Sequence, residues 1–475
     1  MPYKSIREFI AKIEEEGELR RVRAEVDWYL ELGHIAKINE EQGGPALLFE
    51  NVKGYRTPVF GGAFTTASRL ALAMEMPKTS SLPQVTREWV ERTKPEKFIA
   101  PEWVKEDEAP CKENVDEGDK IDLTKFPVPH LYPLDGGRYF GTAVSIITKD
   151  PENDWINVGT YRIQLLDKQT LGTNFIPGKH SDLMLKKYAE LKKPMPVAVC
   201  VGVDPIILLV SASRIPMGRS EYDYAGALRR APVEIVKGKT VDLPIPATAE
   251  IVVEGEVDPT TFKDEGPFGE YTGYYSGLGS VKRNFIKVNC VTYRNNPVFW
   301  MTSVGRPATD QHMIQTLAYT GALWSQLEEM RIPGIKSVYL PPEAGGRFLG
   351  IISVKQMYPG HSIQVGTAAI STEMGAYGLK TVIIVDDDID ASDIPRVLWA
   401  LGVRYQPYRS TEIIKRGRST PLDPSLPMDP EARQITSRII MDATIPYEWK
   451  QKPILIELSK DVVEKVKARW KDLFP

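Results

Sequence analysis

The segment Asp264-Glu265-Gly266-Pro267-Phe268-Gly269-Glu270-Tyr271 sets two carboxylic acids five positions apart. Gly266, Pro267 and Gly269 break helix and discourage a central strand, so the acids are expected on a tight turn or a bulged strand end. A turn this stiff fixes where both carboxyls point. Held in a cleft, such a pair divides the labour, one acid ionised beside a cation and the other protonated and able to donate. A cationic partner stands upstream in Asn157-Val158-Gly159-Thr160-Tyr161-Arg162. On the turn alone, a surface loop with two solvated acids stays open as the alternative.

Asn157, His180 and Glu221 offer an amide oxygen, an imidazole nitrogen and a carboxylate, a donor set that suits Mn²⁺ or Mg²⁺ better than zinc. Their distance in sequence lends no support, and each fits a turn, a polar loop or a helix start equally well. The loop Ser211-Ala212-Ser213-Arg214-Ile215-Pro216-Met217-Gly218-Arg219-Ser220-Glu221 joins an expected buried strand to an expected helix. Small hydroxyl residues, arginine and a helix N-terminus in that place can wrap a phosphate, or form an ordinary connection. Asp386, Asp387 and Asp388 end a strand, where acids bind metal or cap the next helix; Asp390, Ser392 and Asp393 before Ile394-Pro395 favour capping. His312 and His361 are expected to satisfy local hydrogen bonds. The chain lacks a serine-hydrolase elbow, a zincin His-Glu-x-x-His and a Walker sequence.

These residues need a scaffold, and 475 residues are enough for two to four domains. Apolar content of 42% and charged content of 26% are those of an ordinary globular protein. A net charge of −3 gives no electrostatic footprint for nucleic acid or an acidic membrane. The N-terminus, Met1 to Glu8, is charged and lacks a signal-peptide core, and no apolar run is long enough to span a bilayer. Three scattered cysteines, Cys111, Cys200 and Cys290, argue against a disulfide framework or a Cys-type zinc site and for a cytoplasmic chain.

Along the chain, Ile6, Phe9, Ile10 and Ile13 predict a helix opened by a Ser5/Glu8 capping box and ended by Gly17. Pro45–Phe49 predicts a strand, and residues 1 to about 100 a small α/β unit. The acidic stretch 101–120 reads as a linker. From 137 to 310, short strands at 142–148, 162–166, 197–203, 206–210, 249–255 and 285–293 predict a barrel or sandwich, interrupted by a helix at 221–230. A second α/β unit follows, with a helix at 313–330, strands at 336–339, 348–354 and 381–385, and a helix at 395–402. Pro421, Pro424 and Pro427 mark a mobile tail, and 462–474 a last amphipathic helix.

The ordered set Asn157, Arg162, His180, Ser220-Glu221 and Glu265-Gly266-Pro267-Phe268-Gly269-Glu270 resembles the UbiD family of prenylated-flavin-dependent decarboxylases. Val385–Asp390 with Val397-Leu398-Trp399-Ala400 and Arg404, Met441-Asp442-Ala443-Thr444, and Ala46–Phe49 with Asn51, Val52 and Gly54 extend the likeness over nearly the whole chain. The resemblance implies an N-terminal α/β domain (1–115), a split β-barrel holding the flavin (116–310), a C-terminal α/β domain that dimerises (311–445) and a tail with a helix (446–475). It implies Mn²⁺ or Mg²⁺ on Asn157, His180 and Glu221, K⁺ nearby, and prenylated FMN tethered through its phosphate. Arg162, Glu265 and Glu270 become the catalytic network. Thr160, Tyr161, Arg162, Ile176, Lys179, His180, Ser211, Ser213, Met217 and Glu221 become the cofactor contacts.

The implied activity is reversible, non-oxidative decarboxylation of an aromatic or α,β-unsaturated acid, with Glu270 as proton donor and Arg162 holding Glu265 ionised. A flavin prenyltransferase would supply the cofactor, and a homodimer or higher homo-oligomer is expected. Two other readings are a carboxylating subunit of a larger complex and a flavin scaffold without turnover. The length and tail are similar to those of the hydroxyarylic acid decarboxylases. Arg306-Pro307-Ala308-Thr309-Asp310, however, stands where several of them carry Pro-Trp-Thr-Glu. Arg306 is then either the partner of a second anionic group on the substrate or a surface residue. Leu323, Trp324 and Tyr405-Gln406-Pro407 are candidates for an apolar pocket wall.

Overall fold

The computed structural model describes every residue except 1, 2, 276, 278, 421, 429–431, 457, 471, 472, 474 and 475. Helix Ile6–Glu15 buries Ile6, Phe9, Ile10 and Ile13, as the spacing predicts. The capping box does not form. Ser5 makes no side-chain cap bond, and Glu8 accepts from the Lys4 amide instead at 2.9 Å. The helix packs by a four-stranded sheet in the order Leu19–Val22, Ala46–Phe49, Val59–Gly61, Phe299–Trp300. Its last strand is lent from 238 residues downstream of Gly61.

Residues 101–120 are not a free linker. Glu102–Trp103 pairs in parallel with Glu234–Lys237, and Asn114–Glu117 pairs antiparallel with Phe285–Tyr293. Composition read the acids as solvated, and many of them are; the alternate residues and the backbone between them find partners in the sheet.

The central sheet has nine strands. Its main path runs Tyr139–Gly141, Ile163–Asp167, Thr170–Thr173, Phe285–Tyr293, Ile251–Val257, Met195–Val201, Val144–Lys149, Ile156–Gly159. The sheet curls into a half-barrel. A bulge at Glu254/Gly255 contributes to the bend, where a Cβ on Gly255 would lie 2.3 Å from the Lys287 carbonyl oxygen. Residues 206–210, read as a strand, are the middle of helix Pro205–Ser211. Asp204 caps it by accepting from the Ile206 amide at 2.7 Å, and Pro205 fills the first turn. The helix is buried on every side, so its apolar run carries no amphipathic period to distinguish it from a strand.

The C-terminal sheet runs Ile335–Tyr339, Leu349–Val354, Thr381–Asp386, Ile435–Asp442, Thr411–Arg418, with the middle three strands parallel. Helix Asp310–Glu329 lies between this sheet and the N-terminal unit. Asp393 caps helix Ile394–Val403 as expected, whereas Asp388 instead holds Arg404 through two bonds of 2.8 and 2.6 Å. The proline-bearing segment is no mobile tail. Asp423 is buried and binds Lys380 at 3.1 Å, and the chain then returns as strand Ile435–Asp442 inside the sheet. Pro421 lies outside the described residues.

The final helix spans Lys460–Arg469 and buries none of its side chains; Phe474, its expected end, lies outside the described residues. Ile454, Ile456 and Leu458 before it are all more than 80% exposed. Among the described residues, no helix is long and apolar enough to cross a membrane.

Candidate active site

The acid turn hangs from a two-stranded ribbon, Lys263–Glu265 against Val281–Arg283, and Glu265 ends its strand facing inward, 1% exposed. Gly266 has φ +84°, a conformation that glycine adopts without strain. The turn is then pinned from the paired strands Tyr139–Gly141 and Ile163–Asp167 and the segment that leads into the first. Gln164 accepts from the Gly266 amide at 3.0 Å, Asp135 from the Gly269 amide at 2.9 Å, and Pro267 from the Gly136 amide at 2.7 Å. Tyr139 donates to Glu265 Oε1 at 3.2 Å. Sequence reasoning missed these four supports. Only the turn residues Asp135-Gly136-Gly137 offered a signal for that segment.

Arg162, at the start of strand Ile163–Asp167, lies between the two acids. Its Nε and Nη2 donate to Glu265 Oε1 and Oε2, both at 2.8 Å, and its Nη1 donates to Glu270 Oε1. This bidentate fork gives the pair direction as well as charge. Burial pushes the Glu270 carboxyl above the usual glutamate range, the Arg162 guanidinium opposes that shift, and Glu265 adds to it.

Gly136 touches the turn so closely that a Cβ there would lie 1.9 Å from the Gly266 carbonyl oxygen. Gly136→Ala therefore has to move backbone, at a cost of about 1–3 kcal/mol in stability. A displacement of Glu270 by about 1 Å should also cut turnover by roughly 10²-fold. Thermal unfolding and steady-state rates check both effects, and an unchanged rate would show that the turn does not position the acids.

Asn157, from strand Ile156–Gly159, meets His180 and Glu221, the first residues of helices His180–Glu190 and Glu221–Arg229. Thr148 and Ser181 take the Asn157 amide hydrogens at 3.1 and 3.2 Å, which turns Oδ1 toward His180 Nδ1 at 3.1 Å. Glu221 accepts from the Val158 amide at 2.7 Å, yet burial still pushes its carboxyl up to about 8. Among the described residues, no group of three or more His, Cys, Asp or Glu could hold a metal; the third donor here is an asparagine. An amide oxygen oriented by its own NH₂ bonds, an imidazole and a desolvated carboxyl fit a hard divalent cation.

A cavity of about 280 Å³ connects the two clusters. Thr160, Tyr161, Ile176 and Lys179 line it, as do Ser211 and Ser213 at the end of the misread helix. Thr160 is tied to Val144 O at 3.0 Å, and the Tyr161 hydroxyl accepts from the Ser181 amide at 3.3 Å. Glu265 stands behind Arg162, outside the lining. Met217 is also outside it, 63% exposed on the Pro216–Gly218 turn, so it does not face the cavity. The proposed apolar wall is not there either. Leu323 belongs to the core, Trp324 turns out to bond Glu328 at 2.9 Å, and Tyr405 bonds Thr411. The side chain of Arg306 is 77% exposed, 3.5 Å from Glu41. The wall comes instead from Thr302, Ile314, Tyr319, Arg347 and Tyr377, which no sequence pattern separated from core residues. His312, as expected, is satisfied locally, by Tyr271 O at 2.7 Å and Thr309.

Family models for the UbiD (3-octaprenyl-4-hydroxybenzoate carboxy-lyase) N-terminal, Rift-related and C-terminal domains match residues 10–89, 102–307 and 312–443. An uncharacterised Archaeoglobus fulgidus protein is 34% identical over 100% of this chain and 99% of its own. The closed form of Sedimentibacter hydroxybenzoicus vanillic acid decarboxylase superposes with a TM-score of 0.88, at 32% identity, over 100% of this chain and 99% of that one. An evolved dimeric form of HmfF from Pelotomaculum thermopropionicum, in complex with prFMN, superposes with a TM-score of 0.82, at 32% identity, over 96% of this chain and 99% of that one.

Proposed function

The chain belongs to the UbiD family and is a carboxy-lyase, and from that premise we propose that it reversibly decarboxylates an aromatic or α,β-unsaturated acid with prenylated FMN. The observation that carries the reading is the Arg162 guanidinium joined to Glu265 and Glu270 on one wall of a cavity whose other end holds Asn157, His180 and Glu221.

A carboxylate on an sp² carbon leaves badly, because the electrons it abandons have no orbital to enter. Bound prenylated FMN supplies that electron sink. Asn157, His180 and Glu221 would hold Mn²⁺ (or Mg²⁺), which would supply positive charge for the cofactor's phosphate, and K⁺ belongs to the same reading. Thr160, Tyr161 and the two serines line the cavity between the clusters. Glu270, protonated, gives its proton to the substrate carbon that has lost CO₂. Arg162 aims Glu270 and compensates the pair. The surrounding walls exclude water and strengthen each of these contacts.

A flavin scaffold has no use for a guanidinium buried between two acids, which favours turnover over that reading. The exposed Ile454, Ile456 and Leu458 suit a homo-oligomer, and HmfF has been obtained as a dimer in evolved form.

Co-expression with a flavin prenyltransferase should give protein whose absorbance and mass show prenylated FMN, and which releases CO₂ from an aromatic acid. Dialysis against a chelator should lower the bound flavin, and Mn²⁺ should restore it. Flavin retention indifferent to metal would remove the Asn157–His180–Glu221 assignment, and no CO₂ from any aryl or enoic acid would remove the activity.

A further inference from the structure

Among the described residues Arg347 has no carboxylate partner in the cavity; Lys179 and Arg214 on the same lining have none either, but Lys179 lies over the Tyr161 ring at 5.6 Å and Arg214 on a backbone carbonyl. Arg347 is 5% exposed and follows the Gly345-Gly346 turn, whose φ values of +78° and +65° press it onto helix Asp310–Glu329. Its Nη1 donates to the Tyr271 hydroxyl at 3.1 Å, while its Nε and Nη2 have no hydrogen-bond partner. Aromatic rings surround the guanidinium, with Tyr377, Tyr319 and Tyr271 centroids at 5.1, 5.5 and 5.8 Å. Arg162 is occupied by its two glutamates, and Arg214 lies on the His180 side, donating to the Glu373 carbonyl at 3.4 Å.

Ring faces attract a cation but accept no strong hydrogen bond, so two of its three nitrogens stay unsatisfied. A desolvated, permanently charged side chain is costly when nothing pairs with it. The unfilled Nε–Nη2 edge is the edge that grips a carboxylate through two parallel bonds. Gly378 keeps the space beside it open, since a Cβ there would lie 3.3 Å from Nε. Tyr271, which holds Nη1, directly follows Glu270, so the arginine and the proton donor share one rigid segment.

We propose that Arg347 binds a second carboxylate on the substrate, so that the chain acts on an aromatic dicarboxylic acid: one carboxyl leaves beside Glu270 while the other is held at Arg347. This rests on the decarboxylase reading above for the fate of the first carboxyl, and on the geometry of Arg347 alone for the second.

The test is equilibrium binding of benzene-1,4-dicarboxylate and of benzoate to the flavin-loaded protein, with CO₂ release measured beside it. The wild type should prefer the diacid by about tenfold or more. Arg347→Met should erase that preference by weakening diacid binding about tenfold more than it weakens benzoate binding, and Arg347→Lys should keep part of it, as a point charge without the fork. Arg347→Met gives up one hydrogen bond to Tyr271 and the ring contacts but no ion pair, so any fall in melting temperature should be small. Equal binding of the two acids by the wild type overturns the proposal. So does a fall in melting temperature by several degrees together with loss of benzoate binding, which makes the arginine structural. A tenfold loss of FMN affinity in Arg347→Met also overturns it, by assigning the residue to the flavin phosphate. Selective diacid binding without CO₂ release sinks the decarboxylase reading and spares the subsite. Turnover of monoacids with no diacid preference does the reverse.

Discussion

Replacing Glu270 by glutamine stops turnover while leaving the flavin in place. Glutamine keeps the shape and still accepts from Arg162 Nη1, so the turn and the cavity wall persist. What it lacks is a transferable proton, and loss of a positioned general acid costs about 10²–10⁴-fold. Two measurements decide the matter: CO₂ release, and exchange of solvent deuterium into the substrate carbon. Both should fall together at unchanged flavin occupancy. A variant with wild-type exchange would show that another group delivers the proton. The wild-type pH profile carries the same information. Burial raises Glu270, so its neutral form, the donor, persists to higher pH than in an ordinary glutamate and is lost as pH rises through the shifted value. Activity should therefore fall on the alkaline side. The contribution to stability has the same sign: it is present at low pH and disappears as the buried acid ionises.

Arg162→Met should be the most destabilising single change at this site. The guanidinium makes three bonds to two buried acids, and removing it leaves both without a counter-charge. Breaking a buried pair from one side costs about 3–5 kcal/mol, because the remaining charge stays desolvated. Chemical denaturation should show a loss of that size, and turnover should vanish with it. The double variant Arg162→Met/Glu265→Gln should recover part of the stability, since the second substitution removes one stranded acid. It should recover none of the activity. If the two single changes simply add, Arg162 and Glu265 are not coupled in solution as they are in the structure.

Much of this site was legible in the chain. Glycine and proline around Glu265 and Glu270 announced a stiff turn, and that turn exists. The resemblance brought Arg162 to it from more than a hundred residues away, which spacing alone could not. Asn157, His180 and Glu221 likewise needed the fold, because the first residues of two helices and a strand converge there. Other elements were opaque for physical reasons. Pro205–Ser211 is apolar on all sides, so period could not tell helix from strand, and only the Asp204-Pro205 start betrayed it. The acidic run 101–120 hid two strands whose backbone partners lie over a hundred residues downstream. Arg347 looks like any surface arginine until the rings around it are seen, and Arg306, the arginine that did attract notice, is solvated. Met217 was assigned to the cofactor through the resemblance, and the structure leaves it exposed and outside the cavity lining.

Strand Phe299–Trp300 has a consequence for anyone who would recombine this chain with a relative. It completes the N-terminal sheet beside Val59–Gly61, and Trp300 is fully buried there. Amputating the first hundred residues would strip cover from an indole and bare a sheet edge. A graft of that unit alone would arrive one strand short. The N-terminal sheet and the chain that leads into the catalytic wall are thus sewn together by one returning thread, and a workable chimera must transfer both ends of the stitch.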